Sequence, residues 1–297
     1  MTGCGLFVGL VTLDMLYLVE RVPASNEKIV AMESAIAVGG PATNAAIAFS
    51  QLGAATETHG YRTQVVGRLG NHPLGQLIRA ELEQYSVAML DLAAERPEPP
   101  PVSSILVTRE TGDRAVVSRN AVKAQATVAD IPTEVWEAIA HHAVDVVLLD
   151  GHQMAVSRAI AQQTKAQRIP VVVDGGSWKA GFEEVLPYVD YAICSANFHP
   201  PGCTTPSEVI GYLSGLGIPH IAITHGAHPI RYQTPHREGS IPVPVVHAVN
   251  TLGAGDIFHG AFCHFLLQHG FVVALEQAAQ VAAEFCTDFG PRLQTSR

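Results

Sequence analysis

The chain has 297 residues, of which 47% are hydrophobic and 15% charged, and its formal net charge is −9. This composition builds one large core, with room for a small subdomain, and excludes a disordered chain. An acidic balance without a Lys/Arg cluster argues against nucleic-acid binding, so any bound phosphate must be held locally, by backbone N–H groups and a metal.

In chain order, residues 6–11 read as a buried strand. The apolar opening has no basic n-region or cleavage site and is interrupted by Asp14. It reads neither as a signal peptide nor as a membrane span. Residues 42–52 predict a helix and Val65–Val66 a short strand. Leu74, Leu77, Ile78 and Leu82 then recur at helical spacing, which predicts an apolar helix face. From Ile131 the rhythm is regular. Helices are predicted over 132–143, 155–166, 207–216, 254–269 and 272–289, and strands over 146–149, 171–173, 191–194 and 220–224. Such alternation defines an α/β fold with a mainly parallel sheet, and ligands of such sheets sit beyond the carboxyl ends of the strands.

Two segments break the rhythm. Residues 16–38 hold strand-like pieces without a helix, and residues 103–118 read as a hairpin after the Pro-rich stretch 96–101. The excursions, about 15–38 and 102–119, are expected to meet as a small β-sheet lid on a single domain spanning 1–297. Such a lid would exclude water from a site beneath it. Its edges and apolar inner face suggest a homodimer through the lid.

Five cysteines without a CxxC pair fit a reducing, cytoplasmic setting. Fourteen scattered histidines without HExxH give no metal-ligand set. No GxGxxG follows the first strand, which argues against a dinucleotide-dependent oxidoreductase.

The strongest signal is Asn250–Phe262, NTLGAGDIFHGAF, where an apolar region over 241–249 (read as strand) leads through a small-residue turn into a helix. Gly253, Ala254 and Gly255 let N–H groups converge at the positive helix end, a setting for the charge on a transferring phosphoryl group. Asp256 can take a proton from an acceptor hydroxyl. The plainer reading makes it a helix-capping carboxylate, worth about 1 kcal/mol.

This turn resembles the DTxGAGD signature of the ribokinase (PfkB-type) sugar kinases. The segment VGGPATNAAIA at 38–48 resembles that family's Gly-Gly motif, and GRLGNHPLG at 67–75 resembles its G-x-x-G-x-D-x-x-G segment. The opening VGLVTLD at 8–14 resembles a first strand ending in Asp. The likeness spans nearly the whole chain, and within the family it is greatest to ketohexokinases and sulfofructose kinases.

The resemblance implies a ribokinase-like three-layer fold and an ATP-dependent, Mg²⁺-assisted phosphotransfer to a ketose-like sugar, with Asp256 as base. It places Asp14, Asn26, Gly39, Gly40 and Asn44 on the sugar side, and Arg119, which follows the second lid hairpin, is the candidate there for an anionic group on the sugar. Asp174, Asn197, Thr224, Gly226, Gly253 and Gly255 fall on the nucleotide side. A nucleoside kinase and a catalytically silent sugar- or nucleotide-binding relative are the alternatives. Asn250 stands where the family has an Asp beside a monovalent cation, which speaks against K⁺ activation, and Pro200 stands where the family's N-x-x-E segment has Glu.

Overall fold

A computed structural model of the chain describes residues 3–55, 61–110, 112–118, 125–288 and 290–293. Strand β1 (Cys4–Gly9) is central and wholly buried. It pairs in parallel with β4 (Arg62–Gly67) and β8 (Val146–Leu149). The sheet continues through β5 (Val87–Asp91) on one side. On the other side lie β9 (Val171–Gly175), β10 (Tyr191–Ser195) and β11 (His220–His225), all parallel. An antiparallel hairpin, β12 (His228–Gln233) and β13 (Glu238–Ile241), completes nine strands in the order β13-β12-β11-β10-β9-β8-β1-β4-β5.

Burial on both faces explains the near-continuous apolar runs of these strands. Leu6, Val8, Val147 and Leu149 face one cluster, which is closed by helices α3 (Thr133–Ala140), α4 (Met154–Ala166), α5 (Phe182–Val185) and α6 (Pro206–Gly215). Phe7, Val146 and Leu148 face the opposite cluster. That side is closed by α1 (Pro41–Ala54), α2 (Pro73–Gln84), α7 (Ala254–Leu266) and α8 (Phe271–Phe285).

A second sheet stands apart, with four strands in the order β3-β2-β6-β7. It is formed by β2 (Thr12–Val19), β3 (Glu33–Gly39), β6 (Val102–Thr108) and β7 (Arg114–Ser118). Cross-strand partners share a face, so one row runs Ala37, Asp14, Ser103, Ser118 and the opposite row runs Ile36, Met15, Ser104, Val117. The two predicted excursions thus form one sheet. Among the described residues no helix is long and apolar enough to cross a membrane.

Four expectations are corrected. The first strand ends at Gly9 rather than Val11, and Asp14 belongs to β2 of the small sheet. The chain bends where the buried Asp150 carboxylate accepts the Leu10 N–H at 2.8 Å; a Cβ at Gly9 would lie 1.9 Å from that carboxylate. Residues 242–249 are not a strand. Pro242 and Pro244 lack the N–H a ladder needs, and Val245 is 98% exposed. Leu77 is 56% exposed, because α2 buries Ile78 and Leu82 and leaves the flank outside. The β12–β13 hairpin was not foreseen.

Candidate active site

The site is built where the two sheets meet, above the carboxyl ends of the parallel strands. A cleft there is lined by Leu10, Thr12, Asp14, Gly40, Asn44, Ser103, Gly253 and Asp256, together with Leu252 and Pro291. Gly40 enters α1 with a φ of 101°, and a Cβ there would lie 2.2 Å from the Leu10 carbonyl oxygen. Only glycine fits. A Cβ at Gly39 would lie 1.9 Å from Asp14 Oδ2, so its bare backbone makes room for that carboxylate.

Asn250 folds the turn before α7. Its Oδ1 accepts the Leu252 N–H at 2.9 Å, and its Nδ2 donates to the Gly290 carbonyl at 3.0 Å. Gly253 caps α7 with a left-handed φ of 80°. The first-turn N–H groups of a helix lack intrahelical partners, so this end is a natural anion site. Gly255 has no atom within 4 Å of where a Cβ would stand, so the approach is open.

Asp256 is half-buried in the first turn of α7. Asn44 Nδ2 donates to its Oδ2 at 2.8 Å. The helices come this close because Gly260 has no side chain: a Cβ there would lie 2.2 Å from the Ala45 carbonyl oxygen. Burial, and then the nearby Asp174 carboxylate, push Asp256 up to about 7, against the Asn44 hydrogen bond and the His259 ring. Asp174 is itself 5% exposed and is raised by burial, opposed by His259. His259 Nδ1 lies 3.6 Å from Asp174 Oδ2 and 2.7 Å from the Gly255 carbonyl oxygen. His259 thus braces the turn from below.

Across the cleft, burial raises Asp14, partly offset by Ser103 and Arg292. Its Oδ1 is buried and has no hydrogen-bond partner among the described residues. An orphaned buried acceptor is costly, and a ligand hydroxyl would satisfy it.

Of the expected sugar-side residues, the cleft gathers Asp14, Gly40 and Asn44, with Gly39 abutting Asp14. Asn26 does not line it: it is exposed in the β2–β3 connection with a φ of 60°. Arg119 lies outside the described residues. On the nucleotide side, Asn197 is exposed just beyond β10, Thr224 lies one residue before the end of β11 with its Oγ1 donating to the Cys194 carbonyl at 3.4 Å, and Gly226 turns with a φ of 53°. Asp174 is not on that surface; it lies beneath the turn, against His259. Sequence reasoning missed Thr12 and Ser103, which the alternation of the lid strands could have placed on the face of Asp14. It also missed Asp150 and Arg292, whose partners are distant in sequence.

The fold and this turn define a phosphotransferase of small molecules. The chain belongs to the pfkB family of carbohydrate kinases, whose family model matches residues 6–296. It is therefore a carbohydrate kinase, and an ATP-dependent one. It is 22% identical over 263 residues to the ribokinase of Lactococcus lactis subsp. lactis, covering 88% of this chain and 83% of the relative. Similar solved structures include the ribokinase of Giardia lamblia, with a TM-score of 0.79 at 17% identity, covering 97% of this chain and 94% of that one. The Arabidopsis thaliana ribokinase, solved with ribose and ATP, has a TM-score of 0.77 at 20% identity and covers 98% and 94%.

Proposed function

We propose that this kinase transfers the γ-phosphoryl group of ATP to a hydroxyl of a small, ketose-like sugar, with Asp256 as the base. The observation that carries the reading is the pairing, in one cleft, of a half-buried Asp256 at a helix N-terminus with the orphaned acceptor of Asp14. A base works best when its pKa lies near the working pH, and Asp256 at about 7 meets that condition.

Asp14, with Ser103 beside it, accepts and orients sugar hydroxyls. Asn44 holds Oδ2 of Asp256 and leaves Oδ1 for the reacting hydroxyl. Asp256 takes that hydroxyl's proton as its oxygen bonds to the γ-phosphorus; the bond from phosphorus to the β–γ bridging oxygen breaks, and ADP leaves. The N–H groups from Gly253 to Gly255 face the charge on the transferring group. Asn197, Thr224 and Gly226 line the nucleotide side, and Asp174 acts on it only through His259 and the turn.

Among the described residues no cluster of three or more His, Cys, Asp or Glu could hold a metal ion. Mg²⁺ would enter with ATP and would supply charge neutralisation at the phosphates. Asn250, whose side chain is neutral and whose Nδ2 donates to the Gly290 carbonyl, is the residue that speaks against K⁺ activation. The ketose class rests on the likeness of GLVTLDMLYLVERVP, GGPATNAA and NTLGAGDIFHGA to the corresponding segments of ketohexokinases and sulfofructose kinases.

The test is ADP release from Mg-ATP across ketoses, aldoses, a sulfosugar and nucleosides, with Asp256→Asn run in parallel. Turnover with a ketose that the variant loses supports the reading. Turnover with nucleosides alone replaces the substrate class, and binding without turnover points to a silent relative.

A further inference from the structure

Arg292 follows the last helix and is 8% exposed. A buried guanidinium demands partners, and the two Nη atoms find four acceptors, the Pro291 carbonyl at 2.8 Å among them, while Nε has none among the described residues. Its Nη2 donates to Glu81 Oε1 at 2.7 Å and to the Val38 carbonyl at 2.6 Å. Its Nη1 donates to Asn44 Oδ1 at 3.0 Å. Glu81 Oε2 accepts the Val38 N–H at 2.8 Å, so this ion pair grips both backbone groups of one residue at the root of the small sheet. The guanidinium also lies 5.5 Å from the Tyr85 ring centroid, and Gln51 pins the next residue through the Leu293 carbonyl at 3.1 Å.

The consequence falls on Asn44. An amide offers one acceptor end and one donor end. Arg292 has only donors, so it fixes Oδ1 toward itself and turns Nδ2 toward Asp256, where the 2.8 Å hydrogen bond is found. We propose that Arg292 is a positioning residue for the phosphotransfer: held by Glu81, it sets the orientation of Asn44, and through Asn44 it places the Asp256 carboxylate. Without it the amide is free to rotate and can present its oxygen to a carboxylate, a repulsive contact. The inference rests on Asp256 being the base.

The test is a double-mutant cycle on kcat with the pH profile read alongside. Arg292→Gln is expected to lower kcat about tenfold at pH 7, the scale of one lost charge-assisted hydrogen bond. The acid limb of the profile should move up by about one pH unit, because a donor to the ionised base is no longer held in place. Asp174, Asp150 and His259, the other titratable groups that act on Asp256, are untouched by the change. In an Asn44→Ala background, adding Arg292→Gln should change kcat less than about twofold, since the two residues act as one unit. If the two losses multiply, or the limb stays put, Arg292 is merely structural and the proposal is overturned. Arg292→Lys, which keeps the charge on Glu81, carries the same cycle if the Gln variant does not fold. Asp256→Asn separates the two readings. If it retains turnover, the base assignment itself has failed; if it is inactive while the cycle is multiplicative, only the positioning role has.

Discussion

The two sheets divide the labour of the site. The nine-stranded sheet is buried on both faces and, through α7, carries Asp256 and the turn. The small sheet presents Asp14 and Ser103 to the cleft on one face, while on the other Ile36 is 65% exposed and Val117 76%. Rigid, doubly covered structure suits a group that must meet the phosphorus at a fixed distance. A singly covered sheet at the mouth of the cleft suits groups that grip a substrate and let it go. Changes on the large sheet should therefore read out in kcat or in stability, and changes on the small sheet in KM or association.

The comparison breaks most sharply at its two carboxylates. Asp256→Asn should lower kcat by about 10²–10⁴-fold, the range for a lost general base, with little change in sugar KM. Truncation of the core is next: Phe49, wholly buried, should cost about 3–5 kcal/mol as Phe49→Ala in chemical denaturation. Asp14→Ala should instead raise the sugar KM by roughly 10- to 100-fold, the effect of losing a charged acceptor for hydroxyls, while leaving the denaturation midpoint close to wild type.

A smaller effect follows from the pH dependence of Asp256. Its folded value of about 7 lies above its ordinary value of 3.8, so its ionisation works against the fold. That cost is absent below the ordinary value, grows as pH rises, and is complete above about 7. Asp256→Asn removes it. The variant should match wild type at pH 3 and be more stable by about 1–3 kcal/mol at pH 8, read as a difference in denaturation midpoints. The smallest stability change is expected on the outer row of the small sheet. Ile36→Ser with Val117→Ser should alter folding by no more than about 0.5 kcal/mol per site. If that face joins two copies, the pair of changes shifts sedimentation from dimer to monomer; monomer in the wild type removes the dimer.

Much of this division was legible in the sequence, because its signals are local. The helix entry at Gly253–Asp256, the Gly39–Gly40 turn and the strand–helix rhythm each depend on neighbours a few positions away. The lid excursions were visible as interruptions of that rhythm. What escaped depends on long-range contact. Nothing near Arg292 in the sequence announces that it meets Asn44, 248 positions earlier. Asp14 was read as the end of the first strand, since only the fold shows Asp150 bending the chain at Leu10. The 241–249 run was apolar enough for a strand, yet beyond Ile241 its prolines leave it without a ladder.

Arg292 also has a bearing on the order of events in biosynthesis. It lies after every strand and helix described, so its partners Val38, Asn44 and Glu81 are all made before it. A protease that trims the segment after α8 would strip Val38 and Glu81 of the guanidinium that joins them.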